Sequence, residues 1–265
     1  MASRYGGYED REFVAGFYDP VYENRVLKDI DLFKGYSKKA NGRTLELGCG
    51  TGRILIPTAI SGCEITGLDL SPYMLRICQQ KLDKQPGEVR ERVKLIQGNM
   101  TSFDTSETYS LVTVPLRTFQ HLVSIEEQKA CLGCAYQHLV PQGLLLIDIF
   151  NPSLPRLYEP KYMEEQEDLP ETPLPDGRIL RRTIRTAAFH RDQQCNDQEF
   201  IYYVSYPDGR KERLVQSFPF RYFFRYEFEH LLNICGFRVI ELYGDFDMSE
   251  YSSDSPEMIF VAEKK

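Results

Sequence analysis

The feature that most narrows what this chain can fold into is Gly48-Cys49-Gly50-Thr51-Gly52, which follows the short apolar stretch Thr44 to Leu47 and leads into Arg53 to Ile60, a segment of helical character. Glycines at alternate positions let the backbone turn sharply, and they leave room for a ligand lying over the end of a strand. The local reading is strand, glycine-rich turn, helix. Asp69 closes the next apolar stretch, Ile65 to Leu70. An acid about 20 residues beyond such glycines stands where a carboxylate accepts the hydroxyls of a ribose. A cofactor containing a nucleoside is the implication.

Two details choose among such cofactors. The third glycine of the dinucleotide fingerprint would fall at position 53, which is Arg. Glu46, two residues before the first glycine, would repel a pyrophosphate but suits a ligand carrying an ammonium and a sulfonium. A nicotinamide-dependent oxidoreductase is disfavoured on both counts.

The rest of the chain extends the same pattern. Ser71-Pro72 starts a helix running to about Leu82, with an N-cap followed by Pro at the first position. Val93 to Gln97, Tyr109 to Val114 and Leu144 to Phe150 read as strands, with a helix over Glu126 to Leu139. Strands alternating with helices predict an α/β fold with a doubly wound, Rossmann-like, mostly parallel sheet. Before it, Phe13, Phe17, Val21, Val26, Ile30 and Phe33 predict two helices interrupted at Asp19-Pro20. After Asn151-Pro152, residues 152–177 are rich in Pro and Glu and read as an irregular surface segment. Ile179 to His190, Glu199 to Tyr206 and Arg213 to Phe224 then read as an antiparallel β insertion, punctuated by two Pro-Asp-Gly-Arg turns. Tyr226 to Cys235 forms a closing helix ended by Gly236, and Phe237 to Tyr243 and Met258 to Glu263 are the last strands, the final one antiparallel. The expected organisation is a helical lid over 1–40, a cofactor-binding core over 41–151, the insertion over 152–224 and completion of the core over 225–265.

Glu46-Leu47-Gly48-Cys49-Gly50-Thr51-Gly52 resembles motif I of the class I S-adenosylmethionine-dependent methyltransferases, and Gly67-Leu68-Asp69-Leu70-Ser71 resembles their second motif. Gly98-Asn99-Met100 is similar to the segment after the third strand, where such enzymes place an Asp or Asn near the adenine amino group. The resemblance implies S-adenosyl-L-methionine as cofactor, with Glu46, Gly48, Cys49, Gly50, Gly52, Asp69, Leu70, Asn99 and Met100 around it. It also implies that the acceptor meets the cofactor at the end of the fourth strand, in Val114-Pro115-Leu116-Arg117-Thr118-Phe119-Gln120-His121-Leu122. His121 there resembles the His of the His-Leu pair in bacterial sugar-amine N-methyltransferases. It is either a general base for the acceptor or a histidine bonded to backbone. Arg117 binds a substrate carboxylate or pairs with a structural acid such as Asp148. Tyr18 and Tyr22 resemble the N-terminal lid of small-molecule methyltransferases, where a Tyr lies over the cofactor and the lid excludes water. The run Phe218, Phe220, Tyr222, Phe223, Phe224, Tyr226 and Phe228 is either strand core or the lining of an acceptor pocket. In relatives the insertion carries acceptor specificity or a homodimer surface.

Charge then limits the acceptor. Thirty-nine Asp and Glu against 32 Lys and Arg leave a formal net charge of −7. Nucleic-acid binding rests on cations that neutralise phosphates, so RNA and DNA are disfavoured unless Arg178, Arg181, Arg182 and Arg185 form a local patch. Seven Cys residues, most inside apolar segments, argue against a disulfide framework and for a reducing cytoplasm. No apolar run approaches the length of a membrane span. Cys131-x-x-Cys134 lies in a helix with no second ligand pair, and no metal is expected. The leading expectation is methyl transfer to N or O of a small molecule by in-line displacement. An RNA or protein methyltransferase, and a regulatory protein that binds the cofactor without turnover, are the alternatives.

Overall fold

The computed structural model describes residues Tyr5, Tyr8, Glu9, 11–22 and 28–265. They group into two compact units, one of residues 26–151 and 223–265, the other of residues up to 25 and 152–222.

The larger unit is built on a seven-stranded sheet. Its strands are β1 (Thr44–Leu47), β2 (Ile65–Asp69), β3 (Val93–Gln97), β4 (Tyr109–Val114), β5 (Leu139–Phe150), β10 (Phe237–Tyr243) and β11 (Glu257–Lys264), in the order β10-β11-β5-β4-β1-β2-β3. β1 pairs in parallel with both β2 and β4, so the winding reverses between β1 and β4. A ligand over the carboxyl ends of the strands is expected at that crevice. β11 runs antiparallel to β5 and to β10, as expected of the final strand.

Residues paired across the ladder share a face. Glu46 is paired with Thr113, Thr113 with Leu146, and Asp148 with Ile259, which puts Glu46, Asp148 and Glu257 on one face. That face packs helix α2 (Asp29–Lys39): Leu32, Phe33 and Tyr36 meet Leu111, Leu146, Ile259 and Val261. Helix α3 (Pro72–Leu82) starts as its sequence foretold, with Ser71 Oγ accepting the Met74 N–H at 3.2 Å and Pro72 in the first turn. Helix α4 (Ile125–His138) opens on a capping box between Ser124 and Glu127. On the other face, helix α5 (Arg225–Ile234) sets Phe228 on Phe260 with ring centroids 5.0 Å apart.

The smaller unit is a four-stranded antiparallel sheet, β6 (Gln166–Pro173), β7 (Ile179–His190), β8 (Cys195–Ser205) and β9 (Lys211–Arg221), in that order. Helix α1 (Glu12–Tyr22) packs on it, with Phe17 and Val21 in one cluster with Leu180, Tyr202 and Val204. Three readings are corrected here. β6 lies within the segment taken as irregular; as an edge strand it tolerates Pro170 and Pro173, which lack the N–H a central strand needs. α1 runs through Asp19-Pro20 to Tyr22, because a proline in the last turn removes one intrahelical bond and little follows it. The two N-terminal helices also separate: Phe13 and Phe17 of α1 meet Tyr202 of the smaller unit, whereas α2 belongs to the larger. Val26, read as part of that helical pattern, lies outside the described residues. Among the described residues no helix is long and apolar enough to cross a membrane.

Candidate active site

At the end of β1 the chain turns through Gly48, Gly50 and Gly52, with φ of +74°, +54° and +80°. The N–H groups of Gly48 and Cys49 both donate to Leu68 O, at 2.7 and 3.1 Å, which ties the turn to β2. A side chain at Gly48 would meet Thr118 at 2.4 Å. Gly50 is different, since a Cβ there meets nothing within 4 Å among the described residues. The turn therefore presents bare backbone to open space at Gly50, a cradle that a side chain would fill.

Asp69 borders that space. Its Oδ2 accepts the Gly50 N–H at 2.7 Å and its Oδ1 the Ser71 N–H at 2.8 Å. Each oxygen keeps a further lone pair for a hydroxyl donor. Burial raises the Asp69 pKa, opposed by those backbone donors.

Glu46, 2% exposed, sits below the turn, and its Oε2 has no hydrogen-bond partner among the described residues. Burial pushes its carboxyl up to about 8, with the Arg53 guanidinium opposing and Asp69 and Asp29 adding to the rise. A buried carboxyl with an unmatched oxygen is costly to the fold and marks a place where a donor or cation belongs. Four carboxyls on this side of the larger unit, Asp29, Glu46, Asp148 and Glu257, are all buried. Asp29 takes Arg53 on both oxygens, and Glu257 takes Arg117. Arg53 and Arg117 balance Asp29 and Glu257, and Glu46, held largely protonated by its burial, ionises when a cationic group comes beside it.

Asn99 and Met100 follow β3 and are half-buried. Asn99 Oδ1 accepts both N–H and Oγ1 of Thr101 at 2.9 Å, so its carbonyl is engaged in the local turn and its amide group remains as donor. Cys49 is buried and burial raises its thiol pKa; Leu70 is half-buried beside Asp69.

The segment after β4 forms a 3₁₀ turn, Thr118–His121, which ends on half-buried His121. Arg117 is corrected in part. Its guanidinium pairs with Glu257, with Nε at 3.3 Å, and lies 5.9 Å from the Phe150 ring. Asp148, offered as its partner, instead accepts the backbone N–H groups of Leu116 and Arg117 at 2.7 and 3.0 Å. Glu257 was not foreseen, because only strand pairing places it beside the β5 end.

Tyr18 stands on α1 in the smaller unit, its ring 4.6 Å from that of Tyr22. The aromatic run is divided: Phe218 and Phe220 form an edge contact in the smaller unit, whereas Phe223 and Phe228 pack on Phe119 in the larger. The four arginines do not make a free basic patch. Arg178 pairs with Asp176, Arg182 with Asp168 and Arg185 with Glu199, and Arg181 lies over Tyr203.

The profile of a family described as a methyltransferase domain matches residues 44–143, the stretch from β1 into β5. Residues 44–143 are a methyltransferase domain, and the chain is an S-adenosylmethionine-dependent methyltransferase. Its relatives include the cypemycin N-terminal methyltransferase of a Streptomyces species, 25% identical over 93% of this chain and 99% of that one. The dTDP-3-amino-3,6-dideoxy-alpha-D-glucopyranose N,N-dimethyltransferase of Streptomyces fradiae is 26% identical over 85% of this chain and 84% of its own. Among solved structures, CalS10, an amino pentose methyltransferase from Micromonospora echinaspora with S-adenosylmethionine bound, shares the fold. Its TM-score is 0.68 at 23% identity, over 94% of this chain and 96% of that one. The Gly50 cradle, the two-faced Asp69 carboxylate and the unmatched Glu46 oxygen are what such a cofactor needs, and this enzyme's donor set fits it.

Proposed function

We propose that this methyltransferase transfers the methyl group to an amine nitrogen or a hydroxyl of a small polar metabolite by in-line displacement. Its cofactor is held by Glu46, Gly48, Cys49, Gly50, Gly52, Asp69, Leu70, Asn99 and Met100. When bound, the cofactor supplies an electrophilic methyl on a sulfonium. The observation that carries the reading is the buried Glu46 carboxyl, one oxygen unmatched among the described residues, beside an open glycine turn. Glu46 faces the cationic amino-acid end, Asp69 accepts the ribose hydroxyls, and the Asn99 amide faces the adenine. Holding a nucleophile in line with the breaking bond accounts for much of such catalysis. His121, at the end of the turn after β4, takes the proton that the acceptor loses.

Amine nitrogen is favoured as the acceptor atom, because the two relatives above are named as an N-terminal methyltransferase and as the N,N-dimethyltransferase of an amino sugar. The net charge of −7 and the ion-paired arginines of the smaller unit support a metabolite over a nucleic acid.

The test is calorimetric titration with S-adenosylhomocysteine against NADH under identical conditions, followed by turnover on a panel of amino sugars, amino acids, peptide N-termini and hydroxylated analogues. Binding of S-adenosylhomocysteine alone and turnover of amines support the reading. NADH binding, or turnover confined to RNA, overturns it.

A further inference from the structure

Directly after β4 the backbone does something costly. Leu116 and Arg117 are consecutive residues with φ of +57° and +61°, the left-handed region that side chains disfavour by about 1–2 kcal/mol per residue. Such a pair persists only where its surroundings over-determine it. Here the two N–H groups converge on one fully buried carboxyl, Asp148, at 2.7 and 3.0 Å. The turn is fixed at two further points: Gln120 Oε1 accepts the Phe150 N–H at 3.0 Å, and the Arg117 guanidinium holds Glu257 on β11. The next residue, Thr118, donates its hydroxyl to Pro115 O at 2.6 Å and is the group a side chain at Gly48 would strike.

We propose that Asp148 is a positioning residue for the cofactor site. It clamps the left-handed Leu116-Arg117 pair and so seats Thr118 against Gly48. This rests on the assignment of the Gly48 turn to the cofactor. The ionised carboxylate accepts from both N–H groups with its charge shared over two oxygens; protonation turns one oxygen into a hydroxyl, a weaker acceptor whose own proton then needs a partner in the core. Burial and then Glu257 raise the Asp148 pKa to about 7, against the Arg117 guanidinium and the two backbone donors. The charged groups acting on it are thus Glu257 and Arg117, and Glu257 itself feels Arg117, Asp245 and Asp29. Binding that needs the ionised clamp strengthens as pH rises through about 7 and weakens as it falls.

The experiment is calorimetric affinity for S-adenosylhomocysteine at pH 6 and pH 8 in the wild-type enzyme and Asp148→Asn. A competent fraction falling from about nine-tenths to about one-tenth weakens apparent affinity about tenfold. That fall is expected in the wild type beyond any fall shared with the variant, which is weak already at pH 8. Equal affinities at pH 8 and equal pH dependence in the two proteins overturn the proposal. Failure of the wild type to bind at either pH instead overturns the assignment of the glycine turn, and this inference with it. If Asp148→Asn does not fold, amide exchange of Leu116 and Arg117 in the wild type decides, with rates corrected for intrinsic pH dependence. Protection at pH 8 that is lost at pH 6 supports the clamp, and equal protection refutes it.

Discussion

Single side chains separate what serves the fold from what serves the ligand. A carboxyl whose folded pKa is raised to about 8, like Glu46, contributes stability that is complete below its unfolded value, about 4.3, and lost as pH rises through 8. Glu46→Gln removes that loss. Its melting temperature is expected to gain on the wild type from pH 5 to pH 8, while its affinity for S-adenosylhomocysteine falls; a variant unchanged in affinity would make Glu46 structural. Asp69→Ala deletes the acceptor proposed for the ribose hydroxyls. Charged hydrogen bonds contribute about 1.5–3 kcal/mol, so affinity should weaken by about 10- to 100-fold, and calorimetry showing an unchanged constant would remove the ribose role. His121→Ala is expected to lower turnover by about 10²–10⁴-fold with cofactor affinity intact, and equal turnover would return His121 to a structural part.

At the scale of elements, the glycine turn makes two substitutions diverge. Gly50→Ala keeps a left-handed φ at a cost of about 1 kcal/mol but meets no atom of the described residues, so thermal unfolding should shift little while S-adenosylhomocysteine binding is lost. Gly48→Ala drives its Cβ into Thr118 and should lower the melting temperature markedly. If both variants melt alike and both bind, the turn is only a connection. This turn was legible in the sequence because glycine spacing and the acid at Asp69 are local signals, as were the strand-helix alternation and the cap at Ser71. β6 was not, since an edge strand can be irregular in composition and draws its order from β7. The pairing of Arg117 with Glu257 was equally hidden: 140 positions apart in sequence, the two meet only because β11 folds back beside β5. The Leu116-Arg117 turn carries no glycine to announce it.

For the whole molecule, charge and its distribution decide between kinds of acceptor. Polyanion binding needs cations free to replace the counterions of phosphates, and affinity then falls steeply with salt. This enzyme carries −7 overall, and its richest arginine strand, β7, spends Arg182 on Asp168 and Arg185 on Glu199. An amine acceptor arrives protonated and is attracted; a phosphodiester chain is not. Incubation of an extract with the enzyme and methyl-labelled S-adenosylmethionine should therefore place label in small molecules that pass a filter, at a rate that changes little with salt. Label retained in RNA and lost on raising the salt would mean that a basic surface forms despite these pairings, and the acceptor assignment would have to be replaced by nucleic acid.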